Sequence, residues 1–176
     1  MASRSPAPRS PRRRASQLLS ELATLIGASP TFVPAPGLVG GAAMRQSLLA
    51  DPAMETVATR WQDLTMALVG IGSLQPSALL QQSGNAIAPD DQATLLSLGA
   101  VGDVCTRFFD TEGQLVHSDL DSRIVGIDPE TFRAIPRRIG FAGGARKHEA
   151  VRAAIAGNWV NVVVTDLATA RALLAA

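Results

Sequence analysis

The stretch Gly143-Gly144-Ala145-Arg146-Lys147 joins two glycines to a pair of cations, a pattern suited to an anion. Glycines let an oxygen come close to the main chain, and a helix beginning just after them presents free N–H groups and partial positive charge. Lys147 in a first helical turn opposes the helix dipole, so an anionic ligand would account for its place. A tight strand-to-helix turn with an exposed lysine has the same pattern. A second feature is Gly102-Asp103, which interrupts an apolar run. A carboxylate there is costly unless it is paired or faces a cavity. Asp103 is suited to accepting hydrogen bonds from ligand hydroxyls, or to pairing with Lys147 in an empty site, or to a solvated strand end. Arg107 follows Asp103 by an even step, which in one continuous strand puts both on one face. Gly70-Ile71-Gly72-Ser73 supplies a third glycine-bearing strand end.

Catalytic patterns are missing from this set. There is no Gly-x-Ser-x-Gly, no Walker-type loop and no Gly-x-Gly-x-x-Gly opening a helix. His117 and His148 have no Cys or carboxylate at metal-ligand spacing and read as surface residues, so neither a metal nor a cofactor is expected. Cys105, the single cysteine, has no evident base beside it and reads as a core thiol. The expectation is a binding domain rather than an enzyme.

The elements that carry these residues alternate. Leu18, Leu22, Leu25 and Ile26 share one helical face over residues 16–26, and Gly27 stops that helix. Thr31–Val33 reads as a short extended piece before Pro34. Helices follow over about 42–49 and, with Asp51 as N-cap and Pro52 at N1, over 52–62. Residues 66–72 form a strongly buried strand. Asp90 or Asp91 caps a helix ending near Leu98. Val101–Phe109 reads as one strand, Asp110–Gly113 as a turn, and Gln114–Val116 as its hairpin return. Arg123–Ile127 is a further strand, and Asp128-Pro129 starts a brief helix. A strand over 137–142 leads into Gly143-Gly144, then a helix to Ala156. Val160–Thr165 is the most apolar strand, and Asp166 caps the last helix, Leu167–Leu174. Such alternation gives an α/β fold, Rossmann-like, with a mostly parallel sheet and flanking helices. Ligands bind beyond the carboxyl ends of such strands. That rule selects three places, Gly70–Ser73, Gly102–Arg107 if the strand is entered early, and Gly143–Lys147, and the candidate effector contacts among them are Gly72, Ser73, Gly102, Asp103, Gly143, Gly144 and Lys147.

The chain of 176 residues is long enough for one domain with a sizeable core. Aromatics are 4% and tyrosine is absent, so Ala, Val, Leu and Ile must build that core. The net charge of +1 argues against a general polyanion binder. The exception is residues 1–15, which carry Arg4, Arg9, Arg12, Arg13 and Arg14 without an acid and read as a disordered basic tail. The opening residues lack a signal-like apolar run, and no stretch reads as a membrane span, so the cytoplasm is the expected compartment.

Five segments in order carry a resemblance. They are residues 68–73 (Leu68 to Ser73), 99–110 (Gly99 to Asp110), 123–127 (Arg123 to Ile127), 139–147 (Ile139 to Lys147) and 161–166 (Asn161 to Asp166). Pro34-Ala35-Pro36 and residues 48–52 also suit it. The whole resembles the sugar-binding domain of the SorC family of bacterial transcription regulators over about residues 16–176. The resemblance implies a fold similar to glucosamine-6-phosphate deaminase and ribose-5-phosphate isomerase, and a phosphorylated sugar as effector. It also implies contacts to that effector from Asp103 and Lys147. Family members carry an upstream helix-turn-helix and an early strand and phosphate loop that are not visible here. The sheet is therefore expected to lack its first strand or strands.

The expected function is effector sensing for transcription control. Expected partners are the phosphosugar, a homo-oligomer or a hetero-oligomer with a full-length regulator, and operator DNA only through a helix-turn-helix not present in this chain. The alternatives are an orphan or truncated interaction domain that modulates an intact regulator, or a sugar-phosphate isomerase- or deaminase-like enzyme.

Overall fold

A computed structural model describes residues 11–74 and 87–175 of the chain. Three helices precede the first strand: α1 (Pro11–Ile26), α2 (Ala42–Leu49) and α3 (Pro52–Thr59), the last followed by a 3₁₀ turn at Arg60–Asp63. Asp51 caps α3 as expected, its carboxylate accepting from Ala53 N at 2.8 Å, with Pro52 at N1. α1 starts at Pro11, within the expected tail. Proline suits a first helical turn, and Arg and Ala are good helix formers. The rest of the expected tail, residues 1–10, lies outside the described residues.

The sheet has the order β3-β2-β1-β4-β5. β1 (Met66–Ser73), β4 (Arg137–Phe141) and β5 (Val162–Val164) run parallel, while β2 (Gly102–Val104) and β3 (Arg107–Phe109) add an antiparallel hairpin. Helices α4 (Pro89–Ser97), α5 (Pro129–Ala134), α6 (His148–Ala156) and α7 (Leu167–Leu174) flank it. This is the expected α/β architecture, with a mixed sheet.

Several readings change, the first being the strongly buried strand at 66–72: Met66 and Leu68 of β1 are exposed. Val101–Phe109 is not one strand. Cys105 and Thr106, at φ 53° and 65°, form a two-residue turn that splits it into β2 and β3. Val104 therefore opposes Arg107 and Asp103 opposes Phe108, so Asp103 and Arg107 lie on opposite faces. Arg107 is buried and faces Asp121 at 3.5 Å. Cys105 is exposed at the tip of the turn rather than in the core. Arg123–Ile127 is not a ladder strand. Arg123 ends a 3₁₀ turn and bonds Asp91 at 3.0 Å, and Ile124 makes only an isolated bridge to Leu38. Asp90 and Asp91 do not cap α4. They sit in its first turn behind Pro89, with Ala88 at the N-cap.

The main core lies on one face of the sheet. Ile71, Val104 and Phe109 pack there against Phe132, Ile135, Val151, Trp159 and Val160. Trp159 fixes the centre, its Nε1–H donating to Gly113 O at 2.8 Å and its ring lying under the Arg133 guanidinium at 4.1 Å. Gly113 belongs to the expected turn (φ 75°), but it also touches Gly157: a Cβ on Gly113 would stand 2.4 Å from the Gly157 backbone. A smaller cluster, with Leu95 of α4 against Phe108, lies on the opposite face at the hairpin.

Candidate functional site

The strand register brings the predicted residues together. Gly72 opposes Asp103 and Ser73 opposes Gly102 across the β1–β2 pairing. These four residues sit at the carboxyl end of β1, where an α/β sheet leaves a crevice. Gly72 gives the Asp103 side chain its place. A Cβ on Gly72 would lie 1.7 Å from Asp103 Oδ1. Gly102 is buried, and a Cβ on it would come within 2.7 Å of the Ala150 Cβ, so its lack of a side chain also lets α6 approach the sheet.

The β2–β3 turn holds Asp103 from the other side. Thr106 N–H donates to Asp103 Oδ2 at 3.1 Å. Burial pushes the Asp103 carboxyl above its ordinary value, and the Thr106 N–H and the Lys147 charge offset this only in part. Asp103 is therefore a half-buried carboxyl held by a polar contact from its own turn.

Lys147 reaches the same place from the loop between β4 and α6. Its ammonium donates to the main-chain oxygen of Ile71, next to Gly72 in β1. The pairing of Lys147 with Asp103 considered from the sequence is not formed as an ion pair. Gly144 turns the loop at φ 87°, Ala145–Lys147 make a 3₁₀ turn, and α6 then begins without a side-chain cap. The His148 N–H already donates to Ala145 O, and no side chain caps those that follow.

The loop is held by a residue read from sequence only as a helix cap. Asp166 does cap α7, accepting from Thr169 N at 2.8 Å. Its other oxygen accepts from Gly144 N at 2.7 Å and from the buried Thr169 hydroxyl at 2.8 Å. These donors hold the Asp166 carboxyl down at about 2. A Cβ on Gly143 would stand 2.7 Å from the same carboxylate. Gly143 and Gly144 thus shape the loop against Asp166, and the Gly144 N–H is already committed. Thr106 and Asp166 are the participants that sequence reasoning missed. Asp166 two residues beyond β5, beside a glycine pair, was the available signal.

His117 is exposed and pairs with Asp121 at 3.4 Å, while His148 is half-buried as the first residue of α6. Among the described residues no cluster of His, Cys, Asp and Glu could hold a metal ion, and no helix is long and apolar enough to cross a membrane.

Comparison with known proteins gives a consistent result. A family model described as "Putative sugar-binding domain" matches residues 4–175. The chain is 32% identical to the deoxyribonucleoside regulator of Bacillus subtilis over 145 residues, covering 82% of this chain and 46% of that protein. It is 34% identical to the transcriptional regulator LsrR of Escherichia coli over 148 residues, covering 83% and 47%. The full-length sorbitol operon regulator SorC of Klebsiella pneumoniae superimposes with a TM-score of 0.82 at 27% identity, covering 90% of this chain and 51% of that one. The chain spans about half the length of the curated relatives it matches.

Proposed function

The chain belongs to the sugar-binding domain family of SorC-type transcriptional regulators, and from that premise we propose that it senses a phosphorylated sugar at the ends of β1, β2 and β4. The observation that carries the reading is the convergence of Asp103 and Lys147 on one strand end, beside the uncapped start of α6.

Each group has a distinct task. Asp103, acceptor-only when ionised, takes hydrogen bonds from sugar hydroxyls. Lys147 and the first N–H groups of α6 take the phosphate. Gly72 makes room for the Asp103 side chain and Gly102 for α6, Ser73 stands beside them at the end of β1, and Gly143 and Gly144 set the loop. Lys147 donates to the Ile71 oxygen. Phosphate binding exchanges that neutral acceptor for an anion and draws the Gly143–Lys147 loop with it. A ligand that favours one loop arrangement shifts the population, and in a regulator that shift reaches the DNA-reading part. Operator binding is assigned to a helix-turn-helix outside this chain, and the setting is the cytoplasm.

The role is sensing rather than turnover. Isomerisation of a sugar phosphate needs a base and a proton shuttle placed at the carbonyl. Asp103 meets a main-chain N–H and the field of Lys147. A thermal-shift screen across aldose and ketose phosphates tests the proposal. Stabilisation by at least one of them supports it. A folded chain that none of them stabilises, or one that isomerises them, rejects it.

A further inference from the structure

The loop that carries Lys147 begins with two successive glycines, the dipeptide with the widest backbone freedom. Left alone, such a pair spreads the loop over many conformations. Gly144 is nevertheless held at φ 87° and ψ 151°. Lys147 depends on that one geometry. Its N–H donates to the Gly144 carbonyl at 2.9 Å and closes the 3₁₀ turn from which its side chain leaves.

The restraint comes from the start of α7, at the neighbouring strand end. Ala142 N–H donates to Val164 O at 3.3 Å, so the ends of β4 and β5 stay side by side up to the point where the loop leaves. There the Gly144 N–H is shared between two acceptors, Asp166 Oδ2 at 2.7 Å and Thr169 Oγ1 at 3.1 Å. The Thr169 hydroxyl donates in turn to the same Asp166 oxygen at 2.8 Å. A helix cap needs one acceptor, and Asp166 Oδ1 already supplies it to Thr169 N at 2.8 Å. The Oδ2 contacts and the Thr169 hydroxyl are therefore surplus to capping. Thr169 is wholly buried and out of reach of a ligand, and Asp166, an anion, is no partner for a phosphate.

We propose that Thr169 and Asp166 are positioning residues: together they pin the Gly144 peptide so that the Lys147 ammonium points at the end of β1, and so raise the affinity for a phosphate without touching it. A lysine held in place before the ligand arrives gives up less freedom on binding. The effect on affinity rests on the reading of Lys147 as the phosphate contact. The aiming of Lys147 does not.

Two substitutions at Thr169 separate positioning from packing. Thr169→Val keeps the buried volume and loses the hydroxyl, while Thr169→Ser keeps the hydroxyl and loses a methyl group. The first readout needs no ligand. In wild type the Lys147 ammonium, donating to Ile71 O, gives a slowly exchanging ¹⁵N signal. Thr169→Val should abolish that signal and raise Gly144 amide exchange at least about 10-fold. Thr169→Ser should keep both near wild type even though it melts lower. Asp166→Ser leaves α7 an equally good N-cap but withdraws the carboxylate oxygen from Gly144. It should match Thr169→Val, and replaces it if that variant does not fold. The second readout is calorimetric titration with inorganic phosphate and with aldose and ketose phosphates. Thr169→Val should weaken phosphate binding about 10-fold in the wild-type background and not in Lys147→Gln. Equal weakening in both backgrounds means a merely structural role and overturns the proposal. So does a Lys147 signal that is absent from wild type, unchanged in Thr169→Val, or lost equally in Thr169→Ser. If none of these phosphates binds wild type, the effector reading falls, and the Lys147 signal alone decides the positioning role.

Discussion

Gly72 and Asp103 occupy a single space between them: the Asp103 carboxylate lies where a Gly72 side chain would be, with Oδ1 only 1.7 Å from a Cβ built there. The pair faces across a ladder position, so neither can shift along its strand alone. This fixes a carboxylate at the carboxyl end of β1. It also makes a glycine in β1 necessary to the placement of that acid.

Gly72→Ala is therefore expected to swing Asp103 out of the crevice. The overpacked ladder loses about 1–3 kcal/mol of stability, readable in urea unfolding. Effector-induced stabilisation disappears in the same protein. Retention of the full thermal shift in Gly72→Ala would show that the Asp103 position is unimportant.

Asp103→Asn separates stability from binding. Burial raises the folded carboxyl above its ordinary value of 3.8. The folded state then holds the proton more tightly than the unfolded one, so this group lowers stability progressively as pH rises from about 3.8 through the raised value. Asn removes that cost and keeps an acceptor for Thr106 N–H. The variant should melt higher than wild type at pH 7, by an amount that vanishes below pH 3.8, and should bind sugar phosphate more weakly. Function bought at the expense of stability is a common pattern at binding sites.

Asp166 has the opposite sign. Its folded carboxyl titrates at about 2, below the ordinary 3.8, because Thr169 and Gly144 donate to the charged form. Its contribution is fully present above 3.8 and is lost as pH falls through about 2. Asp166→Asn should flatten the acid limb of the stability curve in that window. It should also raise amide exchange at Gly144, since that N–H loses its charged acceptor. An unchanged Gly144 exchange rate would remove Asp166 from the loop.

Trp159→Phe tests the frame behind the site. It deletes the hydrogen bond to Gly113 O and reduces the stacking under Arg133. A loss of about 1–3 kcal/mol is expected, with sugar-phosphate affinity unchanged once the chain is folded.

Much of this organisation was legible in the residues. Periodicity and punctuation placed α2, β1, β4 and the three Asp-capped helices, because Asp51-Pro52, Asp128-Pro129 and Asp166 are local signals whose bonds form locally. The hairpin was not legible. Cys105-Thr106 occupies a turn that needs positive φ at both positions, where Asn-Gly is the usual signature. That single miss put Cys105 in the core and Arg107 beside Asp103. The strand expected at Arg123–Ile127 failed for another reason: long-range bonds from Arg123 to Asp91 and Val39 O hold it in a turn, and no local pattern shows them. The site residues were legible as separate strand ends. Their meeting depends on register, on Gly72 opposite Asp103 and on Lys147 reaching Ile71, which a linear pattern does not contain.

Calorimetric titration of the wild-type chain and of Lys147→Gln, each with sugar phosphates and with the matching unphosphorylated sugars, tests the central claim most directly. At least one phosphosugar should bind wild type well above its parent sugar. Lys147→Gln should lower that affinity by roughly 10–100-fold and leave the parent sugar little changed. A folded wild-type chain that binds no phosphosugar, or binds one with the same affinity in Lys147→Gln, would contradict phosphosugar sensing at these strand ends.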